Sequence, residues 1–298
     1  MSNRLTTVCG ASRVPFLVLS AVCVLLGAAT AAWSGGRIEP LPAGFALLAA
    51  LTGHVAVNLL NEYFDFRSGL DLTTVRTPFS GGSGALPAAP EHAGLVLAAG
   101  IGALAATGLI GLWFVLRMGA ALLPLGALGL LLVVAYTPWV TARAAVSLVA
   151  PGLGFGPVMV AGSAYALTGT YPAAAWTASI VPFFLANGLL LLNQFPDVAA
   201  DRRVGRRNVP IVLGPRRSAL VYAALVVAAY AALAGAVLAG LLPHGAAWGF
   251  ATLPLALPAL AGAWRHGAEP ARLPPYLGLN VGVSVLTPLL MGLGILFG

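Results

Sequence analysis

Apolar runs long enough to cross a bilayer recur nine times, at residues 14–33, 42–64, 92–115, 119–138, 146–168, 173–195, 217–242, 246–264 and 275–297. A span takes about 20 residues. Proline and glycine mark most joints, as at Pro40–Pro42, Gly169–Pro172, Pro243 and Pro274–Pro275. The runs show none of the polar–apolar alternation of a barrel strand, so each must satisfy its backbone groups within a helix. The pattern predicts an all-α integral membrane protein with nine transmembrane helices in a single domain, residues 1–298.

The second and sixth runs end in polar clusters. His54–Asp71 reads HVAVNLLNEYFDFRSGLD and Asn193–Asp201 reads NQFPDVAAD. His54, Asn58, Asn61 and Asp65 fall at i, i+4, i+7 and i+11, one face of a helix. Gly69 is placed to end that helix and let the chain curl back to Asp71. Asn61–Asp65 and Asn193–Asp197 share an N-xxx-D spacing four helices apart. That repeat predicts an internal duplication: two related four-helix bundles plus one helix, around a central cavity.

Composition sharpens this reading. The chain is 59% hydrophobic and 8% charged, against about 25% charged in soluble domains. All 15 basic residues are arginine, which excludes Schiff-base chemistry. The net charge of +7 reads as membrane orientation rather than nucleic-acid binding. Cys9 and Cys23 form no metal-ligand spacing. Val14–Trp33 is longer than the roughly 7–15-residue core of a secretory signal, so it reads as the first transmembrane helix. With the N-terminus in the cytoplasm and the C-terminus opposite, every arginine but Arg37 and Arg117 falls inside, and both acid clusters face the cytoplasm.

Five of the eight acidic residues, Glu62, Asp65, Asp71, Asp197 and Asp201, lie in the two clusters. Asp197 and Asp201 are four apart, with Asn193 expected one helical turn back. Oxygen donors so grouped suit Mg²⁺, which takes few carboxylates and completes its shell with water and substrate phosphate. Two half-sites facing each other would clamp a diphosphate bridged by metals. Arg67, Arg76, Arg202, Arg203, Arg206 and Arg207 share those loops, and guanidinium groups bind phosphate oxygens bidentately. His54, Asn58 and Asn187 either line a channel or are buried groups satisfied by a neighbouring helix. Tyr63, Phe64, Tyr136, Phe183 and Phe184 are candidates to face a cation with π density.

Asn61-Glu62-Tyr63-Phe64-Asp65, closing at Gly69-Leu70-Asp71, resembles the first aspartate-rich motif of the UbiA superfamily of intramembrane prenyltransferases. Asn193-Gln194-Phe195-Pro196-Asp197, running to Asp201-Arg202 and Gly205-Arg206, resembles the second. The spacing, Tyr136-Thr137 and the stretch Gly156–Ser163 are most similar to the 1,4-dihydroxy-2-naphthoate polyprenyltransferase branch. The resemblance implies transfer of a prenyl group from a prenyl diphosphate to an aromatic acceptor in quinone biosynthesis, within the membrane. It implies one Mg²⁺ on Asn61, Asp65 and Asp71 and a second on Asn193, Asp197 and Asp201, with Arg76 and Arg206 on the diphosphate. The chain departs from the family at Glu62, where an aspartate is usual, and near Leu148, where an acid is expected early in the fifth helix. The latter departure keeps open a membrane terpene cyclase that uses no acceptor. A lipid or ion transporter is the non-enzyme alternative.

Overall fold

The computed structural model describes residues 3–298; the first two residues of the expected domain lie outside them. Among the described residues nine helices are long and apolar enough to span a membrane: α1 (Val14–Trp33), α2 (Pro40–Arg67), α3 (Pro90–Met118), α4 (Ala120–Val140), α5 (Ala144–Thr168), α6 (Ala173–Asn193), α7 (Val209–Leu238), α8 (His244–His266) and α9 (Pro274–Phe297). Successive helices pack as neighbours, and α9 returns against α1 to close the ring. The helix α6 touches α1, α5, α7 and α9, and it is the most buried of the nine. By contrast α3 and α4 are the least buried of the nine.

Close approach at the centre depends on small residues. A Cβ on Gly152 would lie 2.3 Å from the Phe183 carbonyl oxygen, and one on Gly156 would lie 2.6 Å from that of Ser179. These two glycines let α5 lie directly on α6. Around Gly154–Ala161 the helix widens to a π-helical stretch, and a second such turn spans Tyr136–Val140 at the end of α4. Wide turns of this kind re-aim side chains and are frequent at functional sites.

Three features differ from the sequence expectation. A short helix, Arg4–Ala11, precedes α1 and packs through Ala11 on Leu59, Leu86 and Val96. Its eight residues are too few to register as a membrane span. The seventh helix begins at Val209, ahead of residue 217, with a sharp bend at Gly214 (φ 76°) before Pro215. Its far end is Leu238, where Gly240 turns the chain at φ 68°. Finally, Asn193, Asp197 and Asp201 do not share one helix. The chain leaves α6 at Asn193, passes through turns at Gln194–Asp197 and re-enters a short helix at Val198–Arg203. Pro196 lacks the amide that a continuing helix needs.

Candidate active site

The ends of α2 and α6 meet at the same end of the bundle. Gly69 adopts φ 78°, which stops α2 and turns the chain into Leu70–Thr73, so Asp71 comes back beside Asp65. A polar cavity of about 130 Å³ lies between the clusters, lined by Asn61, Asp65, Asp71, Asn193, Asp197 and Asp201 together. All six expected oxygen donors therefore reach one space. The link between halves is Arg206. Its Nη2 pairs with Asp65 on the first cluster, and its Nη1 pairs with Asp201 on the second at 3.0 Å.

The remaining partners fix these groups. Asn61 donates to Asp65 Oδ2 at 2.9 Å and to Thr137 Oγ1 at 3.1 Å, where the wide turn of α4 presents that hydroxyl. Asn208 donates to Asp201 Oδ2 at 2.6 Å while capping α7 through the Ile211 amide. The Gly81 amide donates to Asp197 Oδ2 at 3.2 Å. Three buried oxygens lining this cavity have no hydrogen-bond partner among the described residues: Asp71 Oδ2, Asn193 Oδ1 and Asp197 Oδ1. Buried polar atoms are seldom left so. All three are hard donors converging on one cavity, the set that a small divalent cation takes. Among the described residues no three acidic, histidine or cysteine side chains could hold an ion alone, so an ion bound here would need amide or other oxygens to complete its shell.

Charge crowding shifts the carboxyls. Burial, reinforced by the charges of Asp65 and Glu62, pushes Asp71 up to about 7. Burial and the neighbouring Asp201 push Asp197 up to about 7, against the Gly81 amide and Arg206. Burial also raises Asp201, which Arg206 opposes. Burial works against the Arg206 charge, but Asp65 and Asp201 outweigh it and hold the guanidinium firmly protonated.

A second, larger cavity of about 530 Å³ continues from the polar one and is overwhelmingly apolar. Its lining along α2 runs from Asn61 to Ala46, about 22 Å at 1.5 Å per residue. That is most of the roughly 30 Å hydrocarbon thickness. Leu112 of α3 and Leu123 of α4 line it and are exposed. His54 and Asn58 line this cavity, and Tyr136 lines both. His54 Nδ1 lies 2.8 Å from Ser20 Oγ, and its ring meets Phe155 edge-on.

Other expected residues fall elsewhere. Asn187 lines neither cavity; it is buried against Gly152 and accepts from that amide, a packing contact between α5 and α6. Arg67 and Arg202 are exposed and line neither cavity, and Arg67 lies on the opposite side of its helix from Asp65. Arg76 lies over Gly84 and donates to the Asp71 carbonyl at 3.2 Å without lining the cavity. Of the five aromatic candidates only Tyr136 faces a cavity; the others there are Phe16, Phe79, Phe114 and Phe155. Glu62 turns away as well.

The sequence also left Arg13 as a mere orientation signal. It lines both cavities, and its Nη2 sits 3.4 Å from Asn61 Oδ1. It is the one non-glycine among the described residues with positive φ, at 51°. Such a backbone costs on the order of 1–3 kcal/mol and collects at functional sites. No local pattern marks it. Asn208 did leave a signal, an asparagine directly before Val-Pro at a helix start.

A model of the UbiA prenyltransferase family matches residues 20–274. The chain is 27% identical to 1,4-dihydroxy-2-naphthoate octaprenyltransferase of Haemophilus influenzae over 96% of this chain and 94% of that one. It is equally identical to the enzyme of that name from Escherichia coli, over 95% and 92%. Its fold is similar to an apo UbiA homolog from Aeropyrum pernix K1, with TM-score 0.68, 21% identity and coverage of 94% and 96%. It is also similar to a UbiA homolog from Archaeoglobus fulgidus bound to DMAPP and Mg²⁺, with TM-score 0.56, 16% identity and coverage of 94% and 98%.

Proposed function

Because the chain belongs to the UbiA prenyltransferase family, we propose that it moves a prenyl group from a prenyl diphosphate to a small aromatic acceptor of the 1,4-dihydroxy-2-naphthoate kind. The observation that carries this reading is the meeting of the two acid clusters around one small polar cavity that opens into a long apolar one. A diphosphate fits the first space and its prenyl chain the second.

Asn61, Asp65 and Asp71 would hold one Mg²⁺, and Asn193, Asp197 and Asp201 a second. When bound, the metal supplies electron withdrawal from the diphosphate. Asp71, Asn193 and Asp197 offer oxygens with no other partner, and Arg206 and Arg13 offer positive charge beside them. Guanidinium groups so placed stabilise charge on the departing diphosphate as its C–O bond to the allylic carbon breaks. The apolar walls keep water from the allylic cation until an acceptor carbon attacks and then loses a proton. Tyr136 lines both cavities and so faces the reacting carbon. His54 with Ser20, and Asn58, provide polar groups along the apolar cavity that would orient the acceptor. The arginine distribution supports a site on the cytoplasmic side of the cell membrane, with the N-terminus inside and one domain throughout.

Product mass from purified protein supplied with Mg²⁺, a prenyl diphosphate and a naphthoate or benzoate tests this. A prenylated aromatic is expected. Hydrocarbon or terpene alcohol formed equally well without acceptor would replace it with the cyclase reading.

The acid pair also fixes a pH dependence. Asp71 and Asp197 must lose their protons to bind a cation, and both titrate near 7. Lowering the pH from 8 to 6 is therefore expected to raise the half-saturating Mg²⁺ concentration by about tenfold. The same half-saturation at both pH values would show that neither carboxylate is a ligand.

A further inference from the structure

Glu62 belongs to the first acid cluster in sequence, yet its side chain serves the protein rather than the cavity. It is 0% exposed and one position around the helix from Asn61. Its Oε1 accepts from the Ser83 hydroxyl at 2.6 Å and the Leu86 amide at 3.4 Å. Its Oε2 accepts from the Ser83 amide at 3.3 Å and lies 3.7 Å from the Arg13 guanidinium. A buried carboxylate is tolerated only with such a set of donors.

The segment that Glu62 grips is Thr77–Gly84, TPFSGGSG. Thr77 Oγ1 accepts from the Phe79 and Ser80 amides at 3.2 and 2.9 Å, which folds the start of the strap on itself. Gly81 and Gly82 take φ of 85° and 77°, and a Cβ on Gly82 would lie 2.6 Å from Asp71 Oδ1. Only glycine lets the backbone pass there. Beyond it the Gly81 amide reaches across to Asp197 in the other half of the molecule. Phe79 lines both cavities at their junction and packs against Gly278 of α9.

We infer that Glu62 is a positioning residue that pins the strap Thr77–Gly84 across the seam between the two acid clusters. So pinned, Gly81 orients Asp197, Phe79 divides the polar cavity from the apolar one, and Arg13 is held against Asn61. This rests on the cavity being the diphosphate site proposed above. When the C–O bond to diphosphate breaks, the allylic cation has two fates. An acceptor carbon captures it and gives up a proton, or water captures it to give prenol and a proton. A loosened strap admits water to the seam, so Glu62 governs the partition between those products as well as the rate.

The test supplies wild type, E62A, E62Q, S83A and F79A with Mg²⁺, geranyl diphosphate and 1,4-dihydroxy-2-naphthoate, and measures prenol against prenylated naphthoate. The ratio is expected to rise by about tenfold in E62A and F79A, and by less in S83A and in E62Q, which keeps one acceptor oxygen. A purely architectural role would lower both products together. Wild-type ratios in E62A and S83A, with wild type turning over, overturn the inference alone. If E62A does not fold, S83A and F79A decide it, since neither removes a buried charge. A wild-type protein that releases no diphosphate overturns the proposed function and this inference with it.

Discussion

Asp71→Asn and Asp197→Asn are each expected to lower prenyl transfer by about a hundred- to a thousandfold while leaving the protein at least as heat-stable as before. The two effects separate because each residue has a buried oxygen with no partner among the described residues. Removing the charge breaks no ion pair, and an asparagine oxygen at 197 can still accept from Gly81. Burial raises both pKa values to about 7, so the folded state binds protons more tightly than an unfolded chain near 3.8. These carboxyls therefore cost stability increasingly as pH rises from about 4 to 7, and above 7 the full cost is present. At pH 8 the neutral amides are expected to relieve it, raising the midpoint of thermal unfolding in detergent. Steady-state release of diphosphate reads the catalytic half. A variant that melts higher and still turns over normally would remove that residue from the site.

The second large effect belongs to Arg206. It pairs with Asp65 and Asp201 at once, and all three side chains are largely buried. Arg206→Ala leaves two buried carboxylates without their cation, which costs about 3–5 kcal/mol. Arg206→Lys keeps the charge but loses the planar fork that spans two acids, so it is expected to fall well short of wild type in both stability and activity. Adding Asp65→Asn to Arg206→Ala should recover part of the stability, since one stranded charge is gone, and none of the activity. Urea or thermal unfolding of the two single variants and the double variant checks the coupling. Additive losses would mean that Arg206 does not join the two halves.

How much of this was legible beforehand follows from which forces act locally. Nine spans could be read because lipid demands about 20 apolar residues each, whatever they pack against. The six oxygen donors were legible because acids are rare in such a chain and these fell in two like-spaced groups. Side-chain direction was not. Arg67 and Glu62 sit within three residues of Asp65, yet neither lines the polar cavity: helical geometry turns Arg67 to the opposite side, whereas Glu62 shares a face with Asp65 and is drawn off by Ser83 and Leu86, which only packing shows. The Asn193–Asp201 cluster read as one helix, although Pro196 already marked the break. Arg13 could not be found, because its role comes from a left-handed backbone and a partner 48 positions away. The aromatic lining is hidden from the sequence for a related reason. Phe79, Phe114 and Phe155 lie outside both motifs, and folding alone brings them to the cavity.

The most direct measurement is the affinity of a non-cleavable prenyl thiodiphosphate, by calorimetry in detergent, with and without Mg²⁺, for wild type, Asp71→Asn and Asp197→Asn. Tight binding is expected only with Mg²⁺, and either substitution is expected to weaken it by at least about tenfold. Binding that ignores Mg²⁺, or that depends on one cluster and not the other, would contradict a diphosphate held jointly between α2 and α6.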